Sequence, residues 1–242
     1  MADLIISDSR LEMPSLFYPN RKPVGKVKID WSHPLTDGLV GAWILNTVQP
    51  INLVDGHITQ NILGASMPRP QILDFDSTVA GDPYHLILQQ GFDFSKNATV
   101  IARTLKVGTE GWPVLFGIGN YPSSTFRWVG VGYWGTGSEL RLYSNGTTTM
   151  GNINRNTWIN SAFSTDTAAN VAKAYIDGLL QATSTVPVIS DVDTVGLFGN
   201  GSADTADLGD YKGEYVFAFN KTLRADAIKS INDNPYQFLV PV

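Results

Sequence analysis

The chain has 242 residues, of which 43% are hydrophobic and 16% are charged, and its formal net charge is −5 at pH 7. The hydrophobic content is enough for a large core and argues against disorder, and the negative charge leaves no electrostatic footprint for nucleic acid. There is no cysteine, so a disulfide framework, a thiolate metal site and a cysteine nucleophile are excluded.

The first 29 residues differ in character from the rest of the chain. Three prolines interrupt the apolar stretch LEMPSLFYPNRKPVGK at residues 11–26, and proline cannot donate to a β-ladder. This pattern predicts an extended arm over residues 1–29 that lies on an apolar surface, either its own or a partner's. Its predicted anchors are Leu16, Phe17 and Tyr18. The leading MADLIISDSR lacks the basic region of a signal peptide, and no apolar segment approaches a membrane span, so we expect a soluble protein made without cleaved export.

From residue 30 onward, short apolar runs alternate with turns of Gly, Asn and Asp, which is typical of a β-sandwich or barrel. The eleven predicted strands are Leu39–Ile44, Gln71–Phe75, His85–Leu88, Thr99–Leu105, Val114–Ile118, Phe126–Tyr133, Glu139–Tyr143, Trp158–Ser164, Val171–Ile176, Thr194–Phe198 and Glu214–Phe219. The dipeptides Asn145-Gly146 and Asp177-Gly178 lie between apolar runs and predict two tight hairpins.

One helix is predicted, near the end of the chain. Thr222 is its predicted cap, and the apolar residues that follow recur at helical spacing until Asn234-Pro235 ends the pattern. The predicted buried face of this helix comprises Leu223, Ala227, Ile228 and Ile231. Strands and helices do not alternate along the chain, so a doubly wound parallel sheet is not expected.

Three segments together resemble the laminin-G-like, concanavalin A-like jelly roll. They are DWSHPLTDGLVGAWILN at residues 30–46, the segment 156–184 and the closing segment 197–238. In the second segment, Trp158, Tyr175 and Asp177-Gly178 follow one another in the order that the family shows. The resemblance implies an all-β, concanavalin A-like (laminin-G-like) jelly-roll β-sandwich over residues 30–242, with the N-terminal arm before it and one short C-terminal helix. Domains of this family serve as lectins, adhesion modules and hydrolase appendages.

A narrower resemblance adds an expectation about function. The proline-rich lead, IDWSHPLTDGLVGAW and the closing NPYQF resemble LamG-like proteins of tailed bacteriophages, which are generally virion components. This implies a virion structural protein, a capsid decoration or head-associated protein bound through its arm and assembled in the host cytoplasm. The implied partners are capsid or other virion proteins and further copies of the chain, with a trimer as one arrangement. The alternative is a glycan- or receptor-binding lectin-like module of a tail fibre. Neither a nucleic-acid nor a membrane partner is expected.

Catalytic patterns are scarce in the sequence. Glucanases that share this fold need two glutamates flanking an aspartate on one strand, whereas the four glutamates here lie far apart and the family's acidic pair before the last strand is reduced to Glu214. Asp74 and Asp76 share a strand face, but we interpret them as a strand end with an Asx-turn. The three histidines are isolated and lack zinc-site spacing. We therefore predict no catalytic residue, no cofactor and no enzyme, and a polysaccharide hydrolase is a distant third reading.

The loop GNGSADTADLGD at residues 199–210 is the one candidate metal site. Its side-chain oxygens suit a hard cation such as calcium, with Asp204 and Asp207 as the first ligands. The spacing does not match an EF-hand, and a solvated acidic loop explains the same residues.

GVGYWG, at residues 130–135, matches the glycine pattern of dinucleotide-binding loops. That function needs a helix directly after the glycines, and the residues that follow read as a turn and a strand. Two interpretations stay open: a core strand with flat glycine positions, or an aromatic surface for a sugar. On the second interpretation, Arg127, Tyr133 and Trp134 bind the glycan, since aromatic rings stack on pyranoses and arginine donates to hydroxyls.

Overall fold

The structure is a computed structural model. It describes residues 22–23, 26–45, 47, 49–59, 65–69, 72–75, 86–89, 91–94, 97–107, 114–119, 129–133, 138–144, 146–154, 156–186, 194–197 and 210–242. Within these ranges the strands are β1 Val27–Ile29, β2 Leu39–Ile44, β3 Ala65–Arg69, β4 Ile72–Phe75, β5 Leu86–Gln89, β6 Asn97–Val107, β7 Val114–Gly119, β8 Val129–Tyr133, β9 Glu139–Tyr143, β10 Thr147–Asn152, β11 Ile159–Asp166, β12 Val171–Ile176, β13 Leu179–Ser184, β14 Thr194–Leu197, β15 Asp210–Phe219 and β16 Leu239–Pro241. A 3₁₀ turn covers Pro34–Thr36, and helix α1 covers Ala225–Asp233.

Two antiparallel sheets face each other. The larger has the order β13-β12-β11-β6-β15-β4-β3, with β2 also paired to β15, and the smaller has the order β10-β9-β8-β7-β14-β5. Phe116 of β7 stacks on Phe163 of β11 across the gap, with ring centroids 5.8 Å apart. Buried aliphatic residues from both sheets surround this pair. The predicted all-β sandwich is thereby confirmed.

The larger sheet is covered on both of its faces. Along β15, Val216 and Ala218 face the smaller sheet, whereas Tyr215, Phe217 and Phe219 belong to a second apolar cluster on the outer face. Ile228 and Ile231 of α1 are fully buried in that second cluster. Because both faces are buried, the strand reads as a continuous apolar run and does not alternate.

Both ends of the described chain complete the outer layer. β1 pairs with β16, with Val27 opposite Pro241 and Ile29 opposite Leu239. Residues 27–29 are therefore part of the folded domain, although the sequence assigned them to the arm; the rest of the predicted arm, up to residue 21, lies outside the described residues.

Local sequence signals were mostly reliable. Each of the eleven predicted strands overlaps an observed one. Asp177 and Gly178 have φ angles of 49° and 76°, which confirms the hairpin with two left-handed turn residues. The predicted cap of the helix is wrong: Thr222 Oγ1 donates to the carbonyl oxygen of Thr165 at 2.6 Å, and the helix starts after Arg224, which provides no side-chain cap.

Candidate functional site

A groove of about 380 Å³ lies on the outer face of the larger sheet, between the β12–β13 hairpin and the start of α1. Its floor is formed by Ser164, Tyr175 and Leu223, which are 1%, 3% and 6% exposed. Leu180 of the hairpin forms one wall and is 52% exposed. The groove therefore combines a buried, mostly apolar floor with a wall that is open to solvent.

The pairing register explains why these residues share one face. Ser164 of β11 lies opposite Lys173 of β12, and Ala162 lies opposite Tyr175. Side chains alternate between faces along a strand, and Phe163 points into the core between the sheets. Ser164, Lys173 and Tyr175 consequently all project outward, towards α1.

Charged side chains stand around the rim of the groove. Lys173 is exposed, and the Arg224 side chain is 86% exposed with its Nε 3.5 Å from Asp226 Oδ1. Asp166 is half-buried and accepts a hydrogen bond from the backbone N–H of Ala169 at 3.0 Å. The lining thus holds two cationic groups and one carboxylate.

Two polar features of the groove have unmet hydrogen-bonding capacity. The hydroxyl of Ser164 is buried and has no hydrogen-bond partner in the part of the chain that the structure describes. Beside it, α1 begins without a side-chain cap from its N-cap residue, Arg224. The N–H of Ala227 donates to Asp226 Oδ1 at 3.0 Å, which leaves the N–H groups of the two residues before it. The first N–H groups of a helix have no intrahelical acceptor and carry a partial positive charge. Both features can donate to an acceptor placed in the groove.

A second polar cluster lies on the same outer face, nearer the C-terminal end of α1. Glu214 Oε2 is 2.8 Å from Arg103 Nε, and Glu214 Oε1 accepts from the hydroxyl of Tyr236 at 2.7 Å. Asn160 Oδ1 accepts from Tyr215 at 3.3 Å, and the guanidinium of Arg103 lies 5.6 Å from the ring centre of Trp158. These contacts, which we call the Arg103–Glu214 cluster, join β6, β11 and β15 to the segment that follows α1 and so hold the outer layer together.

Burial sets the protonation states in this cluster. Desolvation raises the pKa of Tyr215 and of Tyr236, and the neighbouring Glu214 carboxylate raises that of Tyr236 further. Both phenols therefore remain protonated and act as donors. Desolvation lowers the pKa of Lys22 to about 8, against the opposing attraction of Glu214. Lys22 Nζ donates to the carbonyl oxygen of Leu45 at 2.9 Å, which ties the chain to the sandwich at this point.

Lys22 is expected to make stability rise with pH between about 8 and 10. Its pKa is about 8 in the folded state and 10.5 in the unfolded chain, so the unfolded chain binds more protons in this window. The free energy of unfolding should increase by on the order of 2 kcal/mol across it. Above pH 10 the raised pKa values of Tyr215 and Tyr236 act in the opposite direction, because their contribution is lost as the unfolded phenols ionise.

Urea denaturation at several pH values measures this effect, with Lys22→Met as the control. The methionine keeps an apolar stem and removes the titrating group, so its stability curve should be flat in the window. Parallel curves for both proteins would show that Lys22 is not the titrating group.

The structure describes only some of the site residues that were predicted from the sequence. Tyr133 is fully buried in the core between the sheets, so its predicted place on an exposed glycan-binding patch is wrong; it shares the inward face of β8 with Val129 and Val131. Seven other predicted site residues lie outside the described residues: Leu16, Phe17, Tyr18, Arg127, Trp134, Asp204 and Asp207. Among the residues that are described, no group of three His, Asp or Glu side chains could hold a metal ion.

The groove was missed by sequence reasoning. Ser164 and Lys173 read as ordinary strand residues, and Arg224 read as part of the helix start. One sequence feature near the groove is the apolar pair Leu179 and Leu180, which follows the tight turn. Its meaning depends on the structure, which shows that both side chains are more than half exposed.

The fold places the protein in the class of antiparallel jelly-roll β-sandwiches with a helix on the outer face. The sequence matches no protein-family model and no curated protein at a significant level. Solved structures show a clear likeness in fold. A Trypanosoma rangeli sialidase in complex with sialic acid aligns over 81% of this chain with a TM-score of 0.65 and 17% identity.

Two toxin structures also resemble this chain in fold. The binding domain of Paraclostridial Mosquitocidal Protein 1 aligns over 82% of this chain and 52% of its own, with a TM-score of 0.60 and 11% identity. A botulinum neurotoxin type C structure aligns over 81% and 51%, with a TM-score of 0.56 and 11% identity. This chain spans only 32% of the sialidase chain, so the likeness concerns one part of that enzyme.

The sequence-based prediction that the protein is not an enzyme is corrected by this comparison. That prediction rested on the absence of the carboxylate pattern that glucanases need. The same fold, however, recurs within sialidases, which are enzymes with different chemistry. The absence of one carboxylate pattern therefore does not decide the matter. Separately, none of the described helical segments has the length and apolarity required to cross a membrane.

Proposed function

We propose that this protein is a carbohydrate-binding β-sandwich and that the groove between the β12–β13 hairpin and α1 holds the sugar. The observation that carries this proposal is the groove itself. Its volume of about 380 Å³ falls within the range of about 300–1,000 Å³ that is usual for small-molecule sites. Its lining combines buried apolar surface with a few polar groups that can fix the orientation of a ligand.

The chemistry of the lining suits a polyhydroxylated ring. Sugar hydroxyls both donate and accept hydrogen bonds, while the C–H faces of the ring pack on apolar surface. Asp166 can accept from hydroxyls, Lys173 and Arg224 can donate to them, and Leu180 offers apolar contact at the open wall.

The similar structures also support a carbohydrate-binding function. One is a sialidase in complex with sialic acid, and another belongs to a neurotoxin whose cell entry depends on two ganglioside molecules. A sugar-binding role also agrees with the alternative drawn from the phage resemblance, a glycan-binding module of a tail fibre. The capsid-decoration role depends on the arm anchors Leu16, Phe17 and Tyr18, and it stays a prediction.

A matched pair of variants tests the groove. Ala169 lines the groove, whereas its exposed neighbour Ala168 does not. Ala169→Trp should fill the groove and weaken glycan binding by about tenfold or more, which corresponds to about 1.4 kcal/mol. Ala168→Trp adds the same ring outside the groove and should bind as the parent protein does.

The measurement is a glycan array followed by calorimetric titration with the best ligand for all three proteins. Equal affinity of Ala169→Trp and the parent protein would place the sugar elsewhere. Failure of the parent protein to bind any glycan would reject a carbohydrate-binding function.

A further inference from the structure

Resting on the proposed function, we infer that the sugar bound in the groove carries a carboxylate group, as uronic and sialic acids do. Four features converge on one acceptor of negative charge: Ser164, Lys173, Arg224 and the N-terminus of α1. A neutral sugar can use some of these donors through its hydroxyls, but only an acidic sugar offers a negative charge to all four of them.

Ser164 is the feature that points directly to a ligand. Its side chain is 1% exposed, lines the groove, and has no hydrogen-bond partner in the described ranges. A buried hydroxyl without a partner is unfavourable in a folded protein, and native structures rarely retain one without a reason. An oxygen atom of a bound carboxylate would accept from this hydroxyl and satisfy it.

The charge of the groove is opposite to that of the whole molecule. The chain carries a formal net charge of −5, yet the groove is lined by Lys173 and Arg224 against the single carboxylate of Asp166. The start of α1 adds partial positive charge at Ala225, which lines the groove, while the N–H of Ala227 already donates to Asp226 Oδ1 at 3.0 Å. Hydrogen bonds from charged donors to a carboxylate are stronger than those to a neutral hydroxyl.

The acidic groups nearby do not cancel this preference. Asp226 lies 3.5 Å from Arg224, but both side chains are at least 70% exposed, and such surface pairs are weak. Arg224 can therefore turn to a ligand. Asp166 already accepts from the N–H of Ala169, and its remaining lone pairs suit the hydroxyls of the same sugar. A ring with hydroxyls at one edge and a carboxylate at the other fits both sets of partners.

Calorimetric titration with four defined probes tests the inference. The acidic probes are methyl glucuronide and N-acetylneuraminic acid, which distinguish the two sources of the carboxylate. The matched neutral probes are the methyl ester of methyl glucuronide and methyl glucoside. At least one acidic probe should bind about tenfold more tightly than both neutral probes, and the difference should shrink as salt is added.

Variants locate the effect. Lys173→Met should weaken binding of the preferred acidic probe by about tenfold and that of the neutral probes by clearly less, because its hydrogen bond to a neutral hydroxyl is the weaker one. The exposed Lys28→Met serves as a control that should change neither. Ser164→Ala should also weaken acid binding, although its thermal stability should equal or exceed that of the parent protein because an unpaired hydroxyl is removed. If Ser164 had only a structural role, its replacement would not weaken acid binding while leaving thermal stability unchanged or higher.

The outcomes separate the two proposals. If acidic and neutral probes bind equally and Ala169→Trp blocks both, carboxylate recognition is wrong and the sugar-binding groove stands. If acidic probes bind more tightly but neither Lys173→Met nor Ser164→Ala changes this, the carboxylate lies elsewhere and the inference also fails. If no probe and no glycan binds, both proposals fail.

Discussion

Replacing Glu214 by alanine should lower the free energy of unfolding by about 2–3 kcal/mol, because the change leaves two partners on the outer face unmatched. Arg103 loses the carboxylate oxygen that lies 2.8 Å from its Nε. Tyr236, which is only 2% exposed, loses the acceptor of its hydroxyl at 2.7 Å. Lys22 loses the attraction that partly offsets its burial.

Two further variants separate these contributions. Glu214→Gln retains an oxygen that can accept from Tyr236 and removes the charge, so it should be less destabilising than Glu214→Ala. Tyr236→Phe combined with Glu214→Ala removes the orphaned hydroxyl and should recover about 1 kcal/mol relative to Glu214→Ala alone.

An exposed ion pair on α1 serves as the control for the partly buried Arg103–Glu214 pair. Asp233 pairs with Lys229 at 2.8 Å on α1, and both side chains are about half exposed. Asp233→Ala should cost only about 0.3–0.5 kcal/mol. Chemical denaturation of the five proteins gives the comparison, and similar losses for Glu214→Ala and Asp233→Ala would show that the cluster does not hold the outer layer.

Gly41→Ala should destabilise the protein by about 3 kcal/mol through overpacking. A Cβ at this position would lie 2.2 Å from Cη2 and 2.3 Å from Cζ3 of Trp43. The Trp43 ring is fully buried between the sheets and cannot move aside. Gly41 also pairs with Ala218 of β15, next to a bulge at Val40, and this pairing limits how far the backbone can shift.

A double-mutant cycle tests this mechanism. Trp43→Phe shortens the ring and should cost about 1–2 kcal/mol by itself through lost packing. If the ring is the obstacle, Gly41→Ala combined with Trp43→Phe should lose at least about 1 kcal/mol less than the sum of the two single changes. Strict additivity would mean that Gly41→Ala acts on the strand backbone instead.

The glycine in GLVGAW illustrates how far local patterns reach. The sequence predicted a strand at Leu39–Ile44, and β2 has these bounds. The reason for glycine at position 41 was not readable, because it depends on the rotamer of a side chain two residues away. That rotamer is set by the packing of Trp43 against Phe92 and the rest of the core.

The GVGYWG segment shows a failure of the same kind. The alternation of side chains along β8 assigns its residues to two faces, but it does not show which face is exposed to solvent. In the fold β8 lies between β7 and β9, and Val129–Tyr133 is buried throughout. An aromatic residue in a strand is therefore no guide to a sugar site until the sheet that covers it is known.

The sequence by itself determined the class of the protein, most of its strands and the Asp177-Gly178 turn, because apolar alternation and turn chemistry act between close neighbours in the chain. Only the tertiary structure decided the sites. Strict alternation from Val216 would turn Glu214 into the core, but the pairing of β15 with β6 slips between Gly213 and Tyr215. This bulge directs Glu214 to the outer face, towards Arg103. The groove likewise requires Ser164 and Arg224, sixty residues apart in sequence, to meet across a sheet and a helix, and that meeting depends on packing between distant segments.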